Sequence, residues 1–180
     1  LVGRITIDDI VDVIKAEADQ DYQLAAGISQ DVEADDSIME LTKARLPWLV
    51  LALLGGFITV RVLGLFEGAM LEHGNLFFFT PLIAAMAGNV GVQSSAIIVQ
   101  GLANNTLSGS LFNRLIKEVS LSLLNGVILA TILFLGSHFL LNVEFIIGII
   151  VTIALVSVII IASLIGTFIP LLLDKFGIDP

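Results

Sequence analysis

A chain of 180 residues is of single-domain size, but 57% hydrophobic residues and a mean hydropathy of +1.02 exceed what soluble globular chains carry. The bilayer must be part of its solvent. Charged residues reach only 14%, the net charge is −9, and the absence of cysteine excludes a disulfide framework and a thiolate metal site.

Charge is unevenly spread: residues 1–45 hold 11 of the 17 acids and 4 of the 8 bases, so a polar arm precedes an apolar body. The opening run Leu1 to Ile7 is too short, and too soon followed by acids, to be a signal peptide. The chain does not begin with methionine and reads as cut from a longer protein. Ile5-Thr6-Ile7 reads as the close of a strand. From Asp8 to about Ala26 the pattern is helical, with Ile10, Val13 and Ile14 in a stripe and Gly27 as the stop. Ser29 to Glu40 is acidic and only weakly periodic, a linker with at most a short helix at its end. The expected divisions are therefore residues 1–28, an acidic linker at 29–45, and a membrane domain at 46–180.

Four later stretches are long enough to cross a hydrocarbon core, which takes roughly 20 residues of helix. They are expected at about 46–66, 76–103, 115–141 and 145–173. Each must be helical, because lipid offers no water to an unpaired backbone, and period-two alternation of a β-barrel is absent. The fold class expected is an all-α membrane protein: a polytopic bundle of four transmembrane helices preceded by an acidic cytoplasmic helix. Lys43 and Arg45 precede the first span, Arg114 and Lys117 open the third, and Lys175 follows the fourth, whereas the intervening outer loops lack Lys and Arg. That bias places both termini in the cytoplasm of a multi-pass plasma-membrane (inner-membrane) protein. Arg61, near the outer end of the first span, reads as a snorkelling anchor.

The second span holds what an anchor would not need. Pro81 removes a backbone hydrogen bond, and Ala84, Ala85, Ala87, Gly88, Gly91, Ser94, Ser95 and Ala96 make much of the helix small. At 100° per residue Asn89, Gln93 and Gln100 fall at about 0°, 40° and 20°, three amides on one face. Two readings stand side by side: close helix packing with interhelical amide bonds, and the wall of a path for a hydrated cation. Magnesium sheds inner water reluctantly, so a path can touch its hydration shell through amide oxygens, hydroxyls and carbonyls. Glu67 sits at the outer mouth of the first span, either gathering cations or merely solvated. Glu118 can pair with Arg114 at i, i+4. His73 and His138 stand alone and are assigned no metal. In the arm, Asp8, Asp12 and Asp19 lie within about 40° on a helix and Asp9, Glu17 and Asp21 along another side; a divalent cation would relieve their repulsion, and a solvated acidic face is the alternative.

From Pro81 to Gln93 the sequence Pro-Leu-Ile-Ala-Ala-Met-Ala-Gly-Asn-Val-Gly-Val-Gln resembles the MgtE family of magnesium channels and transporters. Flanking matches are Arg45-Leu46-Pro47-Trp48-Leu49, Phe66-Glu67, Gly101-Leu102-Ala103, Lys117-Glu118 and Leu173 to Pro180. Gly3 to Ile14 is similar to the end of a second CBS domain running into a connecting helix. The resemblance implies magnesium transport by a homodimer in the bilayer, through a pore on the twofold axis lined by spans two and five of each subunit, with Mg²⁺, and other divalent cations beside it, as the ion and no nucleic-acid partner. An enzyme is disfavoured because no nucleophile and base pair stands at membrane depth. Pro81, Gly88, Asn89, Gly91 and Gln93, with Glu67 at the mouth, would line the pore. Asp9, Asp12, Glu17 and Asp21 match acids that hold regulatory magnesium, whereas Lys15 and Gln20 stand where glutamate is common and Gln100 replaces a common arginine. A fifth span beginning after Pro180 would supply the pore aspartate. The alternatives are a cation exchanger of related fold, disfavoured because spans two and four lack carboxylates, and a dimerising module joined through Ala162 and Gly166. No P-loop pattern supports ATP-driven transport.

Overall fold

A computed structural model describes residues 5–107 and 109–178, which form helices and the turns between them with no strand among them. The helices are α1 (Ile7–Ala25), α2 (Ile38–Gly64), α3 (Glu67–Glu72), α4 (Gly74–Phe77), α5 (Thr80–Ala103), α6 (Leu111–Phe139) and α7 (Phe145–Lys175). Among the described residues four helical stretches are long and apolar enough to cross a membrane: Ile38–Gly64, Gly74–Ala103, Leu111–Phe139 and Phe145–Lys175. The chain divides into two compact units, Leu1–Glu67 and Gly68–Pro180. Gly3 and Arg4 of the expected CBS end, and Asp179-Pro180, lie outside the described residues.

In the first unit the expected strand at Ile5–Ile7 is replaced by a helix start. Thr6 is extended, with φ −92° and ψ 164°; its hydroxyl accepts from the Asp9 N–H while the Asp9 carboxylate accepts from the Thr6 N–H at 2.8 Å. This reciprocal capping box satisfies two donors that the first helical turn leaves orphaned. Ser37 and Glu40 repeat the device at α2, with Ser37 N–H donating to Glu40 at 3.1 Å. Span one therefore begins within the acidic stretch and runs unbroken past residue 45, eight residues upstream of the expected Leu46.

The linker between α1 and α2 is pinned to α2. Pro47 lies inside α2 and has no N–H, so the Lys43 carbonyl one turn back loses its helical partner. Ala44, fully buried, has its carbonyl taken by the Ser29 N–H at 2.9 Å and the Ser29 hydroxyl at 3.0 Å. Gly27, at φ +78°, lies flat against Trp48: a Cβ there would fall 2.6 Å from the ring Cγ. Gln23 closes the other side, its amide exchanging two bonds with the Val32 backbone at 2.8 and 3.1 Å. Proline chemistry in the helix and glycine chemistry in the turn thus meet at one joint.

The second unit is built around α7, against which both α5 and α6 pack. Lipid is as apolar as leucine, so close van der Waals fit and short polar bonds, rather than water exclusion, must hold these helices together. Accordingly the buried stripe of α7 is Gly148, Val151, Leu155, Ile159, Ser163, Thr167 and Pro170, steps of three and four residues mixing large, small and hydroxyl side chains. Ser122, Gly126 and Ala130 form the matching stripe on α6. Ser122 donates to the Ser163 hydroxyl at 2.5 Å, and a Cβ on Gly126 would rest 3.5 Å from Val156 Cγ1. Between α6 and α7 the turn closes through Asn142, at φ +52°, and His138, whose Nδ1 donates to the Val143 carbonyl at 3.1 Å.

Candidate functional site

Span two is not one helix: α4 ends at Phe77 and α5 begins at Thr80, with Phe79 buried between them. Pro81 is therefore in the first turn of α5, where its missing N–H would have had no helical partner. It starts the helix instead of breaking it, contrary to the sequence-based expectation.

Two opposite faces of α5 are put to different uses. Gly91 meets α7: a Cβ on Gly166 would fall inside contact with the Gly91 carbonyl oxygen and 3.2 Å from Gly91 Cα. Around the helix from Gly91 by about 160° (Asn89 and Gln93 bracket it at about 160° each way) lies the amide face. There Met86, Asn89, Val90 and Gln93 of α5 border a groove of about 370 Å³ whose other wall is Asn125, Ile128 and Leu129 of α6. Ser94, buried, donates to the Glu118 carboxylate at 2.6 Å and joins α5 to α6 at one end of this groove. Glu118 thus has a partner on another helix, a bond that i, i+4 spacing could not reveal.

Asn89, Gln93 and Asn125 are exposed, and among the described residues none of their amides has a hydrogen-bond partner within the chain. An amide at membrane depth with nothing to bond costs on the order of 1–3 kcal/mol, so these amides need polar partners beyond the described residues. Gly88 is exposed with open space where its Cβ would be. Gln100 is exposed farther along α5, and Glu67 is exposed at the start of α3. Ala162 and Gly166, offered by the sequence as a dimer contact, receive Gly91 within the chain: a Cβ on Gly91 would lie 3.7 Å from the Ala162 carbonyl.

The acids of α1 do not converge. Asp9, Asp12, Glu17 and Asp21 are all exposed, Asp9 is engaged in capping, and among the described residues no three His, Cys, Asp or Glu side chains form a metal-holding group. The bonds from Thr6, its hydroxyl first and its N–H second, hold the Asp9 carboxyl below the usual carboxylate value. Asn125 escapes the sequence reading, though a lone amide in the middle of an apolar span is the available signal.

These features define a polytopic helical membrane protein with neutral amides gathered along one groove. Residues 80–180 match the MgtE family, described as a divalent cation transporter. Across its full length the chain is 34% identical to the magnesium transporter MgtE of Bacillus subtilis, 36% to that of Enterococcus faecalis and 33% to that of Thermus thermophilus. The chain belongs to the MgtE family. It spans 40% of the length of each of these curated relatives.

Proposed function

We propose that this chain forms part of the wall of a path for hydrated magnesium, within a homodimer gated by cytoplasmic Mg²⁺. The observation that carries this reading is the groove at Asn89 and Gln93, where exposed amides stand at membrane depth without partners among the described residues. Its family membership supports the choice of ion.

Hexahydrated magnesium presents water hydrogens outward, and an amide oxygen accepts them without displacing any water. Asn89 and Gln93 are one turn apart, about 6 Å along the axis, so an ion can pass from one oxygen to the next. Being neutral, the amides attract the ion without trapping it, as conduction through several weak sites requires. Gly88, beside Asn89, leaves room for a shell of that size, and Gly91 serves the path indirectly by letting α7 approach α5. Glu67 would concentrate cations at the outer mouth, with both termini in the cytoplasm. Asp9, Asp12, Glu17 and Asp21 would hold regulatory Mg²⁺ only together with acids from another surface, since they do not meet on α1.

The test is Mg²⁺ uptake by the full-length gene product carrying Asn89→Leu. Removing one hydrogen bond to a charged shell should reduce uptake by roughly tenfold or more while the protein still reaches the membrane. Wild-type uptake in that variant would defeat the pore-wall reading.

A further inference from the structure

Three helices of the second unit each bring one polar side chain to the same level inside the chain. Ser122 on α6 meets Ser163 on α7, and consecutive spans run antiparallel. One turn back along α6 and one turn on along α7 therefore put Glu118 and Thr167 at a common height. Gly91 of α5 lies against Gly166, and α5 and α7, being alternate spans, run the same way. Ser94, three residues beyond Gly91, thus stands within about 3 Å of the height of Thr167.

The three are unequally bonded. Ser94, buried, donates to the Glu118 carboxylate at 2.6 Å, whereas the Thr167 hydroxyl, on a residue 1% exposed, has no partner among the described residues. A hydroxyl buried in this way gives up its bonds to water and gains none in return. It lies in the turn before Pro170, whose missing N–H leaves the Gly166 carbonyl without its helical donor, so this is the turn at which α7 bends most easily. Meanwhile the contact between Gly91 and Gly166 sets how near α5 comes to α7 but not how it is rotated, because neither glycine has a side chain to interlock. The Ser94–Glu118 bond supplies that direction. Ser94 is next to Gln93 and five residues from Asn89, so rotation of α5 about its axis re-aims all three together.

We propose that Glu118 is a positioning residue that holds α5 through Ser94 and exchanges that hydroxyl for Thr167, and that the exchange turns α5 and re-aims Asn89 and Gln93. The proposal rests on the reading of those amides as part of the pore wall, and it puts Glu118 behind them, inside the chain, rather than on the path. One hydroxyl replaces another on the same carboxylate, so the two arrangements lie close in free energy. Ser94, once released, has the Val90 carbonyl one turn back as its acceptor.

The test measures Mg²⁺ influx into proteoliposomes that hold the full-length gene product. Ser94→Ala removes the partner used in one arrangement, and Thr167→Val, nearly the same in shape, removes the partner used in the other. The two should move influx in opposite directions, each by roughly threefold to tenfold. Ser94→Thr and Thr167→Ser, which keep a hydroxyl, should stay near wild type. In a Glu118→Leu background both effects should vanish, because the group competed for is gone. If that background does not fold, Glu118→Gln takes its place, and both effects should shrink there. Influx that moves the same way in both variants, or is unmoved by either, means that these residues only support the helices, and the proposal is overturned. Effects that persist undiminished without the Glu118 carboxylate overturn it as well. Any of these results alongside loss of uptake in Asn89→Leu leaves the pore-wall reading standing. Wild-type uptake in Asn89→Leu removes that reading and this proposal with it.

Discussion

Replacing Gly166 by alanine probes the contact on which the position of α5 depends. The added methyl would meet backbone, the Gly91 carbonyl oxygen inside contact and the Gly91 Cα at 3.2 Å, so no side-chain rotation can relieve it. Overpacking of this kind costs about 1–3 kcal/mol, and the gain in helix propensity from Gly to Ala returns at most about 1 kcal/mol. With backbone contacts this short the upper part of that range applies, so a net loss of about 1–2 kcal/mol is expected, with α5 displaced from α7. Gly126→Ala is the matched control, because its methyl would find Val156 Cγ1 at 3.5 Å, an ordinary contact; it should be neutral or slightly stabilising. The assay is the unfolding midpoint of the purified protein in mixed micelles titrated with a denaturing detergent. A Gly166→Ala midpoint equal to or above wild type would refute the close-approach argument.

Two further outcomes concern the arm. The Asp9 carboxyl is held below its ordinary value of 3.8 by Thr6, so the capping box stabilises α1 above that value and is lost as pH falls through the depressed one. The difference in helical circular dichroism between wild type and Thr6→Ala should therefore be constant from about pH 7 to about pH 5 and shrink toward about pH 2. A difference that grows on acidification would contradict this assignment. If Asp12, Glu17 and Asp21 take part in binding regulatory magnesium, Mg²⁺ should protect the arm of the full-length gene product from protease more than Na⁺ at matched ionic strength. Equal protection by the two salts means screening, and the metal assignment fails.

The spans are legible in the sequence because hydropathy is a sum over many residues, and an error at one position leaves it intact. Their ends are less so. Ser37-Ile-Met-Glu40 carries the spacing of a capping box, yet the surrounding charge makes the stretch read as linker. The continuous apolar run Leu76–Phe79 conceals the break before α5, although Pro81 at a first turn is a usable sign of a helix start. At Ile5–Ile7 the β-branched residues suggest a strand, while Thr6 and Asp9 together decide for a helix. The joint at Gly27, Ser29 and Trp48 is out of reach, since it depends on a carbonyl of one helix meeting a hydroxyl 15 residues away.

The groove shows most clearly where single-helix geometry stops. The wheel correctly puts Asn89 and Gln93 on one side, but it treats Gly88 and Gly91 alike, as small residues beside them. Packing separates the two: Gly91 is the seat of α7, and Gly88 is open. That separation explains why the amides have no partner among the described residues. The glycine face draws α7 against the side of α5 that points away from Asn89 and Gln93, so the most apolar helix of the unit cannot reach them, and α6, tied in by Ser94 and Glu118, brings Asn125 to the facing wall. Close packing and a polar face are thus not competing accounts of the small residues in span two. The first, at Gly91, is what leaves the second exposed at Asn89.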